Sequence, residues 1–153
     1  MKVMAIDPGT YRTGYAIFKV TPGASSLLEC GKVFVRGKDL PDRLLHIHKG
    51  IERVIRRLRP NHVVIERPFI GKSARDGLTL NAGRAVCMLA AAASKVRVYE
   101  YAPAQVKKTV TGNGQASKEY VQRMVRIQLG LRETPEPDIA DAMALALCHI
   151  NRL

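Results

Sequence analysis

The first twenty residues, MKVMAIDPGTYRTGYAIFKV from Met1 to Val20, set the direction of the fold. The apolar run over residues 3–6 stops at the turn-forming residues Asp7, Pro8 and Gly9, which predicts a short strand that ends in a turn. Residues 14–20 predict a second strand and residues 27–35 a third. The amino-terminal part is therefore expected to form an antiparallel three-strand meander.

Beyond the meander, the apolar residues change to the spacing of a helix. They recur at this spacing over residues 40–58, and Pro60 follows. Short β-branched runs predict strands over 62–66 and 96–100, and further helices are predicted over 78–93, 103–111, 120–129 and 138–151. The order β-β-β-α-β-α-β-α-α-α predicts an α/β fold: a mixed five-stranded sheet, made of the meander and parallel strands, with helices on both faces.

The composition indicates one basic domain that acts on a polyanion. The 153 residues fit a single domain, 1–153, and a hydrophobic content of 46% allows an ordinary core. Lys and Arg number 25 against 13 Asp and Glu, and the net charge of +12 favours nucleic acid as the partner over an anionic membrane. The longest apolar run has nine residues, 85–93, which is too short to span a bilayer.

The cysteines and the amino terminus predict a cytoplasmic protein. The three cysteines, Cys30, Cys87 and Cys148, show no CxxC spacing, so neither a disulfide framework nor a cysteine-rich zinc site is expected. Asp7 interrupts the first apolar run before it could form the core of a signal peptide.

Four acidic residues fall where the predicted fold could bring them together. Asp7 ends the first strand and Glu66 ends the fourth, so parallel pairing of these strands would place both at one edge of the sheet. Asp138 and Asp141 are spaced i,i+3 on an otherwise apolar helix and share one face. Taken singly, these acids have structural alternatives: a turn at Asp7, an ion pair of Glu66 with Arg67, and a helix cap at Asp138.

A cluster of carboxylates points to a bound cation, because like charges repel unless a cation neutralises them. Oxygen ligands favour Mg²⁺ or Mn²⁺ over zinc. Two such ions about 3.5–4 Å apart can clamp the attacking and leaving oxygens of a phosphodiester. An acidic pocket in a basic chain is thus typical of a metal-dependent nuclease.

Four sequence blocks occur in a specific order. They are Ile6-Asp7-Pro8-Gly9-Thr10 with Thr13-Gly14-Tyr15, Ile65-Glu66-Arg67-Pro68-Phe69, Tyr99-Glu100-Tyr101-Ala102-Pro103-Ala104-Gln105-Val106-Lys107, and Asp138-Ile139-Ala140-Asp141-Ala142. Together they resemble the RuvC family of Holliday junction resolvases. The first block alone also opens ATPases of the sugar-kinase and actin type, but this chain is too short for their two lobes.

The resemblance implies a ribonuclease H-like fold, a homodimer and magnesium-dependent paired nicking of four-way DNA junctions. It leaves open whether a branch-migration helicase complex accompanies the chain. The residues that match the family's metal-binding catalytic acids, for two Mg²⁺ ions with Mn²⁺ as a substitute, are Asp7, Glu66, Asp138 and Asp141. Lys107 and Lys118 match its active-site and DNA-contacting lysines, and Phe69 matches an aromatic residue that acts on bases near the junction centre.

Other interpretations stay open at this point. A nuclease of the same fold could act on RNA or another branched nucleic acid, and a non-catalytic junction-binding protein would need the basic surface without the acids. Arg53, Arg56, Arg57 and Arg59 are interpreted as a solvated helix face, with phosphate contact as the alternative. His149 is expected to be packed or solvated rather than a metal ligand.

Overall fold

The computed structural model describes residues 1–9, 11–67 and 74–153, with the backbone alone over 74–77. Its strands are β1 (Lys2–Asp7), β2 (Arg12–Thr21), β3 (Ala24–Phe34), β4 (His62–Glu66) and β5 (Arg97–Tyr101). Its helices are α1 (Leu40–Leu58), α2 (Ala74–Ala93), α3 (Pro103–Thr111), α4 (Lys118–Gln128) and α5 (Pro137–Ile150). The predicted order of elements is confirmed.

The sheet has the strand order β3-β2-β1-β4-β5, with β1 at its centre. The pairs β1–β2 and β2–β3 are antiparallel, as predicted for the meander. The pairs β1–β4 and β4–β5 are parallel, and Ile6 lies opposite Ile65. Asp7 and Glu66 therefore leave neighbouring parallel strands at the same edge of the sheet.

Helices cover both faces of the sheet, which gives two apolar clusters. Because side chains alternate along a strand, Met4 and Ile6 pack toward α1 and α2, whereas Val3 and Ala5 pack toward α3, α4 and α5. No helix in the described ranges has the length and apolar character needed to cross a membrane.

Some boundaries differ from the predicted ones for identifiable reasons. Helix α2 begins at Ala74 rather than at residue 78, because the intervening Ala-Arg-Asp-Gly carries no apolar periodicity. Helix α4 begins at Lys118 rather than at residue 120, and the Ser117 side chain accepts a hydrogen bond from Tyr120 N at 3.2 Å. Helix α5 has Glu136 in the N-cap position, so the capping role considered for Asp138 is wrong.

The remaining differences are small. Strands β1 and β2 extend beyond the predicted 3–6 and 14–20, and β3 runs over 24–34 instead of 27–35. Strand β5 is shifted by one residue to 97–101, α4 ends at Gln128 and α5 ends at Ile150. These shifts leave the predicted acids in place.

A buried histidine ties α5 to the sheet. His149 is 2% exposed, its Nδ1 lies 2.8 Å from the Tyr101 hydroxyl, and its Nε2 lies 2.9 Å from His62 Nδ1. Burial, followed by the nearby His62 and Arg152, lowers the pKa of His149 to about 4. His149 is therefore packed and neutral at pH 7.

This histidine should make the fold sensitive to mild acid. Between pH 6.5 and about 4 the unfolded chain protonates residue 149 while the folded chain does not, so stability falls as the pH falls, by up to about 3 kcal/mol. Thermal unfolding at pH 7 and pH 4.5 should show a smaller drop in Tm for His149→Phe than for the unaltered chain. His46→Gln, at an exposed position on α1, is the control. Equal drops for the unaltered chain and His149→Phe would contradict this account.

Candidate active site

An open cavity of about 500 Å³ lies where β1 and β4 end and α5 begins. Its lining contains all four acids and both lysines that the sequence assigns to the site: Asp7, Glu66, Asp138, Asp141, Lys107 and Lys118. These residues come from β1, β4, α3, α4 and α5. The structure thus brings them together, and their chemical roles stay predictions.

The acids at the strand ends have unfavourable surroundings for negative charge. The pKa of Asp7 is raised to about 7 by burial, then by the carboxylates of Asp141, Glu66 and Asp138, and Lys118 opposes this shift. The pKa of Glu66 is also raised, first by burial and then by Asp141, with Lys118 and Lys107 opposing. The cavity therefore favours a further positive charge.

Two helix starts supply the rest of the charged groups. Asp138 and Asp141 lie in the first turns of α5, where the helix dipole favours negative charge. Lys118 is the first residue of α4, where the same dipole disfavours a cation. Its Nζ lies 3.0 Å from Asp141 Oδ2, and this contact is the main cause that raises the pKa of Lys118. Asp141 thus holds a charged lysine in the cavity.

The donor set suits hard divalent cations. Within the described residues, no three Asp, Glu, His or Cys side chains are gathered into a ready coordination shell. Mg²⁺ does not require one, because it usually keeps several waters and binds through one or two carboxylates together with substrate phosphates. Four carboxylates around one cavity, with a raised pKa at two of them, fit such an ion.

Sequence reasoning missed two cations at this site. Arg12 at the start of β2 lines the cavity, and antiparallel pairing of β2 beside Asp7 could have revealed it. Lys32 on β3 contacts Glu136, and its Nζ lies 3.9 Å from Asp138 Oδ2. No local pattern predicts Lys32, because β3 and α5 meet only through the fold. Phe69 lies outside the described residues, so its predicted role stays untested.

Arg84 on α2 holds the backbone at Glu66, a contact that the sequence also did not reveal. Its Nε donates a hydrogen bond to the Glu66 carbonyl at 3.1 Å, and its guanidinium forms an ion pair with Glu100 on β5. The Arg84 side chain is 17% exposed, so this contact is largely shielded from water. Arg84 therefore ties α2 and β5 to the point where Glu66 leaves the sheet.

The resemblance to the RuvC family implies cleavage of DNA junctions, and removing Arg84 should slow that cleavage more than it weakens DNA binding. Arg84→Ala releases the backbone of Glu66, and small displacements of reacting groups cost about tenfold to a hundredfold in rate. We therefore expect Arg84→Ala to reduce the single-turnover cleavage rate and to change the junction Kd little. Arg97→Ala, which removes an exposed charge where β5 begins, at the end of the sheet opposite Glu66, should leave both values unchanged. An unaltered rate for Arg84→Ala would show that the contact of Arg84 with the Glu66 backbone does not matter for cleavage.

A mixed sheet of this topology, with acids at the ends of two central parallel strands and on the helix packed across them, is the ribonuclease H-like arrangement. It defines a class of proteins to which many nucleases belong. Within that class, the model of the family described as crossover junction endodeoxyribonuclease RuvC matches residues 3–149, and the chain belongs to this family.

Individual relatives agree over nearly the whole chain. Crossover junction endodeoxyribonuclease RuvC of Pelotomaculum thermopropionicum is 42% identical, and the match covers 99% of this chain and 93% of that protein. The Thermus thermophilus RuvC structure has a TM-score of 0.86 and 34% identity, with 97% of this chain and 93% of that chain covered. T. thermophilus RuvC in complex with Holliday junction substrate has a TM-score of 0.85 and 32% identity, with 97% and 92% covered.

Proposed function

We propose that this chain resolves four-way DNA junctions by metal-dependent hydrolysis of one phosphodiester bond in each of two opposed strands. The observation that carries the proposal is the single cavity lined by four acids and two lysines in a chain of net charge +12. Family membership and the junction complex of T. thermophilus RuvC support the choice of substrate. The whole chain, 1–153, acts as one nuclease domain in the cytoplasm.

The acids would hold two Mg²⁺ ions, with Mn²⁺ as a substitute. Bound there, the ions would neutralise charge on the phosphate and lower the pKa of an attacking water. Asp7 and Glu66 are fixed by the sheet, and Asp138 and Asp141 by the start of α5. A rigid set of ligands keeps the scissile phosphate in one orientation, which is a main source of catalytic rate.

The lysines would stabilise the charge that develops on the phosphate. Lys118 is kept charged by Asp141, and Lys107 lines the same cavity from α3. A fixed cation is worth most where negative charge increases in the transition state. Phe69 remains a proposal as well: an aromatic beside the site can stack on an unpaired base at the junction centre for about 1–3 kcal/mol.

A homodimer would supply the second active site. A four-way junction has approximate two-fold symmetry, which a C2 dimer matches with two equivalent sites. Helix α2 supports this part of the proposal, because Leu78, Ala85 and Leu89 form an exposed apolar stripe along one of its faces. Sedimentation at micromolar concentration should show a dimer, and a species of about 17 kDa alone, with and without junction, would contradict it. The resemblance leaves open a branch-migration helicase complex as a further partner.

The proposed activity is tested with an immobile four-way junction, a linear duplex and a structured RNA of equal length. With Mg²⁺ or Mn²⁺ we expect paired, symmetric nicks in the junction, little cleavage of the other substrates and none in EDTA. Preferred cleavage of the RNA would favour the alternative nuclease. Tight junction binding without cleavage in any metal would favour a non-catalytic binder.

A further inference from the structure

A basic groove runs along the outer edge of the sheet between β3 and α1. Its walls include Lys32 and Phe34 on β3 and His46, Lys49 and Arg53 on α1. None of the described residues that line it is acidic. We refer to it as the β3–α1 groove.

The groove and the acid-lined cavity share none of their described lining residues, but Lys32 lies between them. Lys32 lines the groove, contacts Glu136 and lies 3.9 Å from Asp138 Oδ2, measured from its Nζ. One side chain thus borders both the candidate active site and the groove. A strand whose scissile phosphate lies at the acids would have its neighbouring phosphates close to the sheet edge at β3.

Lys49 and Arg53 provide the positive charge farther along the groove. Both are exposed and lie about one helical turn, or about 6 Å, apart along α1. This distance is close to the axial length of two nucleotide steps on one DNA strand, about 7 Å. Glu52 on α1 and Glu29 on β3 are bound by other arginines, at 2.8 Å from Arg56 and 2.7 Å from Arg57. Those acids are therefore already neutralised.

Phe34 adds an exposed aromatic ring next to Lys32, at the end of β3. It is 63% exposed, and Lys32 Nζ lies 5.9 Å from the centre of its ring. An exposed aromatic ring next to cations can pack against a sugar or stack on an unstacked base, and so lose its contact with water. Basic side chains together with an exposed aromatic are typical of a nucleic-acid contact surface.

We propose that the β3–α1 groove binds the phosphate backbone of the junction arm that leaves the cut site. This inference rests on the proposed function and adds to it the surface that holds the arm. It also favours phosphate contact over a solvated face for Arg53. The contact is to the backbone, so it positions the arm without reading its sequence.

The test uses two charge-matched double variants of the full chain. The groove variant, Lys49→Ala with Arg53→Ala, removes two positive charges from the groove. Lys95→Ala with Arg97→Ala removes two exposed charges where β5 begins, at the end of the sheet opposite the acids. For the groove variant we expect a junction Kd about tenfold higher near 0.15 M salt, and a log–log salt slope shallower by about two. Its loss should be larger in junction binding than in the cleavage rate at saturating junction.

A modified junction locates the contact. Uncharged methylphosphonates within about half a helical turn of the cut site should weaken binding by the unaltered chain but not by the groove variant. An unchanged Kd for the groove variant, or an equal loss of junction affinity for both double variants, would overturn the proposal. The first of these results is also the one expected if the groove binds an acidic protein instead of DNA. If the unaltered chain cuts junctions while the groove variant binds normally, this inference alone fails. If the unaltered chain neither binds nor cuts them, the proposed function fails as well.

Discussion

Asp7→Asn is expected to abolish junction cleavage and to leave junction binding intact or tighter. Asparagine keeps the size of the side chain but removes the charge from the acid at the centre of the cavity. Burial, and then three other carboxylates, raise the pKa of Asp7 to about 7, so its negative charge is disfavoured unless a cation is bound beside it. Loss of this proposed metal ligand should slow cleavage on the order of a thousandfold or more.

The binding part of this prediction follows from charge. DNA phosphates approach an acidic cavity against repulsion, and above pH 7, where Asp7 is mostly ionised, the substitution removes close to one negative charge from it. Gel-shift titration in EDTA should therefore give a Kd equal to or lower than that of the unaltered chain. Asp42→Asn, in the exposed first turn of α1, is the matched control and should alter neither value. A normal cleavage rate for Asp7→Asn would exclude Asp7 from the site.

Gly14→Ala is expected to reduce cleavage about a hundredfold through a purely steric route. Gly14 pairs with Asp7 across β1 and β2, and a Cβ at this position would lie 2.3 Å from the Asp138 carbonyl oxygen. The start of α5 must then move away from β2, and it carries Asp138 and Asp141 with it. Displacement of catalytic groups by about 1 Å has effects of this size.

Stability should fall as well, by about 1–3 kcal/mol, which is the usual cost of forcing a methyl group into a packed interface. Single-turnover cleavage, junction Kd and Tm measured together would show a large loss of rate with a folded, DNA-binding chain. Gly31→Ala is the control on β3, because its Cβ would meet the Tyr15 side chain, 2.9 Å from the hydroxyl, rather than backbone. If Gly14→Ala cleaves as fast as Gly31→Ala, the close approach of β2 and α5 does not matter for catalysis.

The sequence predicts the main elements because their signals are local. The run before Asp7 and the run before Glu66 are short, apolar and stopped by turn residues, so the strand ends and their acids could be assigned. Parallel pairing of β1 and β4 follows from the intervening helix and places both acids at one edge. The i,i+3 spacing of Asp138 and Asp141 likewise needs no tertiary information.

The features that the sequence did not reveal depend on contacts between distant segments. His62 and His149 are separated by 87 residues and meet at 2.9 Å only because α5 packs across β4. Arg84 reaches the Glu66 carbonyl because α2 lies over the end of β4. The approach of Lys32 to Asp138 requires the position of α5 against β3, which no pattern within either segment encodes.

Binding of Mn²⁺ tests the central claim most directly, because this paramagnetic ion broadens NMR signals from nearby residues. Titrated into the isotope-labelled chain, Mn²⁺ should broaden the amides around Asp7, Glu66, Asp138 and Asp141 together, and Mg²⁺ should reverse the effect by competition. Asp7→Asn should weaken the broadening at all four positions at once. Broadening confined to one of these segments, or centred elsewhere on the chain, would contradict a shared site for divalent ions.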